Sequence, residues 1–337
     1  MRIAVIGTGY VGLVSGACFA EFGHEVTCID KDVAKIERLQ GNDIPIYEPG
    51  LDQMVEKNRK ANRLLFSTEY SPGVPEADVV FIAVGTPASR RGDGYADLSY
   101  VHDAARQIAP HLCDYTVVVN KSTVPVGTAR QVARIISEVN PGASFDVASN
   151  PEFLREGAAI NDFMHPDRVV IGVDAKKAEE VLKAIYRPLF LIETPFVITS
   201  IETAELIKYA ANAFLATKIS FINELANICE EIGADVQDVA KGMGLDGRIG
   251  KKFLHAGPGY GGSCFPKDTH ALLRIAQECG VACRIVESVV EVNAAQKARM
   301  ARKIRQAVGG SEGGKTIAVL GLAFKPETDD MRDAPSV

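Results

Sequence analysis

The sequence predicts an α/β fold: a doubly wound parallel sheet, then a long central helix and a mostly helical second domain. Three observations carry this reading. The chain opens on a short apolar run, Arg2-Ile3-Ala4-Val5-Ile6, followed at once by a glycine-rich turn and a helical stretch. Further short apolar runs alternate with helix-patterned segments as far as Thr199. From Ile201 to Ile232 the pattern turns helical without a proline or glycine.

The first run is apolar nearly throughout, as a strand buried on both faces of a parallel sheet requires. Gly7-Thr8-Gly9-Tyr10-Val11-Gly12 follows, then a helix to Phe22. In a Rossmann turn these glycines have separate tasks: Gly7 permits the tight turn, Gly9 lets backbone reach a pyrophosphate, and Gly12 allows close helix packing. The helix N-terminus adds N–H groups and a positive dipole. A second strand, Glu25 to Ile29, ends at Asp30, near the spacing at which an acid takes a ribose 2'-hydroxyl. Asp30 repels a 2'-phosphate and so favours NAD over NADP, whereas Lys31 and Lys35 act the other way, because an ammonium attracts such a phosphate. A glycine fingerprint alone is weak. Strand, glycines, helix, strand and acid in order make it specific.

Three further strands end in polar or turn residues: Asp78 to Val84 before Gly85-Thr86-Pro87, Thr116 to Asn120 before Lys121-Ser122-Thr123-Val124-Pro125, and Phe145 to Ser149 before Asn150-Pro151-Glu152. Ligands of an open parallel sheet bind at that edge, which makes Thr86, Thr123 and Glu152 site candidates by position. Arg168 to Val173 and Phe196 to Thr199 complete the sheet. The Ile201–Ile232 helix reads as a spine between domains or as an ordinary core helix. On it Lys208 and Asn212 stand four apart and share a face among apolar neighbours. Lys208 there either snorkels to solvent or points into a pocket. Helices follow at Asp235 to Met243, around Thr269 to Glu278, and at Cys283 to Val308. The organisation is 1–200, a dinucleotide-binding domain; 201–309, a central helical domain; and 315–337, the start of a further domain.

Composition bounds the function. With 337 residues and 47% hydrophobic content the chain can bury two cores. No apolar stretch is long enough to span a bilayer, and Met1-Arg2-Ile3 runs into a strand without a signal-peptide pattern, which points to the cytoplasm and away from a membrane. Seven cysteines without a CxxC pair fit reduced thiols. Cys18, Cys28, Cys113 and Cys229 read as small core residues, as do Cys279 and Cys283. The six histidines show no metal-ligand spacing, so no metal site is expected. A net charge of -6 argues against nucleic acid as partner, and an anionic nucleotide substrate then needs a local basic cluster.

Gly259-Tyr260-Gly261-Gly262-Ser263-Cys264-Phe265-Pro266-Lys267-Asp268 has the composition of a nucleophile's setting. Its glycines let backbone approach a ligand closely, and a neighbouring ammonium favours the reactive thiolate of Cys264.

The segments GTGYVG, KSTVPVGT, NPEFLREG, ELIKYAANAFLATKISFINE and GYGGSCFPKD, in this order, resemble the nucleotide-sugar dehydrogenase family, the UDP-glucose/GDP-mannose dehydrogenases. The resemblance runs from Met1 to the last residue, and the Cys-Phe-Pro-Lys-Asp stretch is of the type that oxidises UDP-glucose; oxidation of GDP-mannose or UDP-N-acetylmannosamine is the alternative within the family. It implies a four-electron oxidation of the sugar C6 alcohol to a carboxylate with two NAD in succession, through a thiohemiacetal and a thioester on Cys264. It further implies that Lys208 and Asn212 stabilise negative charge on the C6 oxygen, that Asp268 and Thr123 position a water or proton, and that Glu152 is the base of thioester hydrolysis. Implied cofactor contacts are Gly7, Gly9, Tyr10, Val11, Gly12, Asp30, Lys35, Thr86, Thr123, Glu156, Lys267 and Arg332, with Glu156 one turn beyond Glu152 if that segment is helical. Implied substrate contacts are Glu152, Phe153, Leu154, Lys208, Asn212, Arg248, Phe253, His255, Tyr260, Gly261 and Lys325. The basic run Arg248-Ile249-Gly250-Lys251-Lys252 suits a diphosphate sugar or is a solvated face; in the family the arginine at Arg248 reaches the neighbouring subunit's substrate, which implies a homodimer through the spine helix. His255 stands where some members have lysine.

Thr316 to Lys325 echoes the first strand and turn. By the same resemblance it opens a second Rossmann-like domain that covers the UDP, of which these residues hold the first strand and loop. Two readings from other classes remain: a two-electron hydroxyacid-type dehydrogenase with Cys264 inert, and a non-catalytic NAD-binding module.

Overall fold

The computed structural model describes residues 1–87 and 94–337. The described residues form two compact units, one up to Lys208 with Gly94 and Tyr95 excepted, the other from Tyr209 together with those two.

The first unit holds an eight-stranded sheet ordered β3-β2-β1-β4-β5-β6-β7-β8. Its strands are β1 (Arg2–Ile6), β2 (Glu25–Ile29), β3 (Leu64–Ser67), β4 (Val79–Ile82), β5 (Thr116–Asn120), β6 (Phe145–Ser149), β7 (Val169–Gly172) and β8 (Phe196–Thr199). Helices α1 (Tyr10–Glu21), α2 (Val33–Gln40), α3 (Leu51–Lys60), α4 (Ser99–Ile108), α5 (Thr128–Val139), α6 (Ala159–Met164) and α7 (Lys176–Ile185) connect them. Side chains alternate across the sheet, so that Ile3 and Val5 enter one core with Phe19 and Phe81 while Ala4 and Ile6 enter another with Val101 and Ile108.

Pairing is parallel except between β6 and β7, which share one antiparallel bridge, Ser149 with Gly172. The other pairings give the doubly wound parallel sheet that the sequence predicts. Helix α6 has 6 residues, about 9 Å of rise, and does not carry the chain back past the 5 residues of β6, about 17 Å of strand. Strand β3 was not expected from the sequence; it is a four-residue edge strand, too short to show a period.

Helix α8 (Ile201–Ile232) runs unbroken for 32 residues, as its composition predicts. Its first turns are fixed within the first unit. A Cβ on Gly172 would lie 2.6 Å from Ala204 Cβ, so the helix rests directly on β7. Glu205, buried, accepts from Gly127 N at 2.6 Å and Ala129 N at 3.0 Å, which satisfies orphan donors at the start of α5. The second unit adds α9 (Val236–Gly244), α10 (Phe265–Glu278) and α11 (Arg284–Ala307), around a small cluster of Ala216, Tyr260 and Val289.

Two expectations fail. Residues 315–323 carry no strand; Leu320 is 92% exposed. A strand is held by its ladder, and no neighbour pairs with this segment among the described residues. Cys113 and Cys279 are exposed and Cys283 half-buried, because they lie at or beyond helix ends rather than on apolar faces; Cys18, Cys28 and Cys229 are buried as expected.

Burial raises the Glu205 carboxyl to about 7 against the pull of the two backbone donors. The folded protein therefore keeps a proton that the unfolded chain releases near 4.5, and stability falls as pH rises between those values. Glu205→Gln cannot titrate and should flatten that stretch of the melting temperature against pH; parallel curves for the two proteins would contradict the assignment.

Candidate active site

At the carboxyl edge of the first unit's sheet, strand order reverses between β1 and β4, and a cleft of about 670 Å³ opens there. Gly7, Gly9, Asp30, Lys35 and Gly85 line it. The glycines behave as their spacing predicts. Gly7 has φ +99, and an added Cβ would meet Ala83 O at 2.7 Å; a Cβ on Gly12 would stand 1.9 Å from Gly7 O. A Cβ on Gly9 meets nothing within 4 Å, so backbone there faces open space. That is the fit a dinucleotide pyrophosphate requires.

Asp30 closes the turn as well as facing the cleft. Its Oδ2 accepts from Thr8 N and Thr8 Oγ1, each at 2.8 Å, and from Lys35 Nζ at 3.1 Å. Burial pushes this carboxyl up, but the donors from Thr8, Asp32 and Lys35 outweigh it and hold the group below its ordinary value. Lys35 is thus spent on Asp30. Tyr10 turns elsewhere: its hydroxyl donates to Glu48 and accepts from Gly157 N at 3.1 Å. Glu48, buried, also accepts from Gly157 N at 2.7 Å and Ala159 N at 2.8 Å, capping α6 from a distant loop. Sequence reasoning missed Glu48, because nothing local marks a contact across 38 residues.

Thr86 and Thr123 meet where β4 and β5 end, Thr86 Oγ1 donating to Thr123 O at 2.9 Å. Next along the edge, Glu152 lies after β6 and forms a 2.9 Å ion pair with Lys208 of α8, both buried. The other Glu152 oxygen accepts from Leu154 N at 2.6 Å. Burial pushes the Glu152 carboxyl up; Lys208, Leu154 N–H and Lys121 together hold it below its usual value. Lys208 therefore points inward rather than snorkelling, 5.3 Å above the Phe153 ring. Glu156 is not on a helical turn with Glu152: residues 151–158 are irregular and α6 starts at Ala159, because Pro151 precedes and Gly157 takes φ +79.

Lys121 opens the KSTVPVGT segment, and the resemblance implies no role for it. It is buried at the end of β5, with Nζ 3.0 Å from Asn150 Oδ1, 3.3 Å from Asn150 O and 3.3 Å from Tyr186 Oη. The signal was present: a charged residue directly after the buried strand Thr116–Asn120.

In the second unit Asp268 is 1% exposed and held on both oxygens, by Asn212 Nδ2 at 2.6 Å and Lys267 Nζ at 2.7 Å. Cys264 is partly exposed at the N-cap of α10, with Pro266 in the first turn. A helix N-terminus favours a thiolate, which adds to the sequence argument for a nucleophile. The Phe265 ring lies 6.1 Å from Phe253 and 6.0 Å from Tyr260.

The glycine loop departs from expectation in its use. A Cβ on Gly261 would stand 2.3 Å from Asp333 O, and one on Gly262 would stand 2.7 Å from the Phe324 ring. What approaches these glycines is the chain's own segment, with Gly262 N donating to Arg332 O at 2.9 Å. Arg248 and Arg332 are exposed in local pairs with Asp246 and Asp330, His255 is exposed, and Lys325 lies 5.5 Å over the Phe324 ring.

Two family models match the chain: the NAD binding domain of the UDP-glucose/GDP-mannose dehydrogenase family over residues 1–190 and its central domain over 202–295. The chain belongs to this family. It is an NAD-dependent dehydrogenase. A UDP-glucose 6-dehydrogenase of Rhizobium meliloti (strain 1021) is 62% identical over 339 residues, covering 100% of this chain and 77% of the relative. The solved UDP-glucose dehydrogenase of Pyrobaculum islandicum is 42% identical, with a TM-score of 0.95 over 99% of this chain and 77% of that one. The GDP-mannose dehydrogenase of Pseudomonas aeruginosa is 35% identical, with a TM-score of 0.71 over 100% of this chain and 77% of that one.

Glycine substitutions separate binding from folding in this family member. Gly9→Ala should leave thermal stability near wild type while weakening NAD binding, because its Cβ enters only the open cleft. Gly12→Ala should lower both, because its Cβ overlaps a backbone carbonyl. Calorimetric NAD titration with melting curves checks this; equal stability losses would contradict it.

Proposed function

We propose that the chain oxidises UDP-glucose to UDP-glucuronate, passing through a covalent adduct on Cys264. The observation that carries this is a partly exposed thiol, Cys264, at the N-cap of α10; the first unit, by itself, holds the buried Glu152–Lys208 ion pair at its sheet edge. Similarity supports the substrate: the Rhizobium meliloti relative bears the name UDP-glucose 6-dehydrogenase at 62% identity, against 35% for the GDP-mannose enzyme.

NAD supplies a hydride acceptor for each of two oxidations when bound, held by the Gly7–Gly12 turn and Asp30, with Thr86, Thr123 and Glu156 at the same edge. Lys208 and Asn212 donate to the C6 oxygen as it gains negative charge. Cys264 thiolate adds to the aldehyde carbon, and the thiohemiacetal, once oxidised, is a thioester. Glu152 then takes a proton from a water whose oxygen bonds to C6; the C–S bond breaks and Cys264 leaves as thiolate. Asp268, bracketed by Asn212 and Lys267, orients the amide that donates. Phe153, Leu154, Arg248, Phe253, His255, Tyr260, Gly261 and Lys325 are assigned to the nucleotide sugar, and Lys267 and Arg332 to the cofactor, by family resemblance.

A homodimer fits the second unit. Phe214, Phe221 and Ile228, seven residues apart along α8, are 65%, 45% and 52% exposed, an apolar stripe that a second copy would cover. Seven cysteines with no CxxC pair support a reducing compartment, the cytoplasm. No helix among the described residues is long and apolar enough to cross a membrane.

A panel of UDP- and GDP-sugars with NADH counted per sugar tests the reading: two NADH with UDP-glucose supports it, and one NADH per sugar favours a two-electron enzyme. Cys264→Ser should bind NAD but fail to complete turnover, and Glu152→Gln should accumulate a Cys264 adduct visible by intact mass. Wild-type rates in both Cys264→Ser and Cys264→Ala would exclude covalent catalysis there.

Cofactor selection has its own test. NADP should be used far less efficiently than NAD, because Asp30 both repels a 2'-phosphate and neutralises Lys35. Asp30→Ala frees that ammonium and should narrow the preference; an unchanged ratio of kcat/KM values would contradict the assignment.

A further inference from the structure

We propose that Lys121 is a positioning residue for hydrolysis of the Cys264 thioester: its buried ammonium fixes the Asn150-Pro151-Glu152 turn and keeps Glu152 a carboxylate while Lys208 serves the sugar oxygen. This rests on the reading of Glu152 as the hydrolytic base.

The geometry is that of a retained charge. Lys121 is 4% exposed, and no carboxylate bonds it directly among the described residues. Its three donors meet three neutral acceptors, Asn150 O, Asn150 Oδ1 and Tyr186 Oη. Rings of Phe81, Phe163 and Tyr186 surround the ammonium at 5.8–5.9 Å from their centroids. Asn150 is itself pinned, donating to Val170 O at 2.7 Å and accepting from Tyr186 Oη at 2.6 Å. Lys121 thus grips the carbonyl of the peptide that enters Pro151, one residue before the base.

Lys121 and Glu152 border one cavity of about 40 Å³, lined also by Phe153, Arg168 and Tyr186. Burial lowers the Lys121 ammonium to about 8; the Glu152 carboxylate supports its charge and Lys208 opposes it. Two cations thus share one anion. The other charges at this place are already engaged: Asp162 of α6 with Arg155, and Arg168 over the Phe153 ring at 3.6 Å. When Lys208 donates to the C6 oxygen, its charge is divided between sugar and Glu152. A lone buried carboxylate would then take up a proton and could not act as base. Among the described residues Lys121 is the second cation that acts on Glu152, and its charge opposes that protonation.

Single turnover of the full chain with UDP-glucose and NAD, quenched and read by intact mass across pH, follows decay of the Cys264 adduct. In Lys121→Met the acid limb of that decay should move upward by on the order of one pH unit, about a tenfold slowing below the limb, with hydrolysis recovered at higher pH. Asn150→Asp, nearly isosteric, pairs Lys121 with a new carboxylate and should move the limb the same way. It carries the test if Lys121→Met does not fold. An acid limb at the wild-type position in whichever variant folds overturns the proposal. Glu152→Gln run alongside separates the two readings: adduct persisting at every pH with an unmoved limb in the variants leaves Glu152 the base and removes Lys121. Hydrolysis at the wild-type rate in Glu152→Gln removes both.

Discussion

Lys208 and Glu152 meet at 2.9 Å with almost none of either side chain in contact with water. Such a pair is expensive to desolvate, and its mutual attraction does not by itself favour the fold. It persists because the elements that carry it are fixed independently. Gly172 lets α8 lie on β7, and Glu205 one turn before Lys208 caps α5. On the other side, Lys121 and Tyr186 hold Asn150, and Leu154 N–H holds the second Glu152 oxygen. Sheet edge and helix are therefore located by groups outside the pair, and the two charges face each other without being what holds these elements together.

The dinucleotide turn follows the same logic with smaller groups. Asp30 is bound to the turn by Thr8 and to α2 by Lys35, so a carboxylate that lines the cleft also shapes the glycine turn beside it. Tyr10 extends this outward. Through Glu48 it is tied to Gly157 and to the start of α6, just after the segment that carries Glu152 and Glu156. The Rossmann turn and the segment after β6 thus share one buried carboxylate.

Most of the architecture was legible because its signals are local. Buried strands read as apolar runs, and the unbroken stretch from Ile201 reads as one helix. Asp30, Gly7, Gly9 and Gly12 were legible because each task demands a residue type at a fixed spacing. What escaped was non-local. Antiparallel β7 depends on how far a short helix carries the chain, and Glu48 acts across the fold. Lys208 could not be assigned from its apolar surroundings until Glu152 was seen beside it. The run from Thr316 has the composition of a strand, yet a ladder needs a partner and none is present among the described residues. Cys113 and Cys279 misled because a cysteine's apolar neighbours in sequence do not fix which way its own side chain faces.

The loop before Cys264 shows the same limit from the other direction. Glycines there suggested close approach by a ligand, and close approach is indeed what they permit. At Gly261 and Gly262 the visitor is Asp333 and Phe324, with the Gly262 N–H bonded to Arg332 O. A side chain at either position would push that segment away, so these glycines act on Cys264 through packing. The loop is braced from outside, and α10 fixes it from within, Asp268 N donating to Cys264 O at 2.8 Å while its carboxylate holds Asn212 and Lys267. The cysteine is thus a helix N-cap residue clamped between its own helix and a distant strip of chain. That removes freedom from its backbone, while the half-exposed thiol keeps Ser263 Oγ at 3.7 Å.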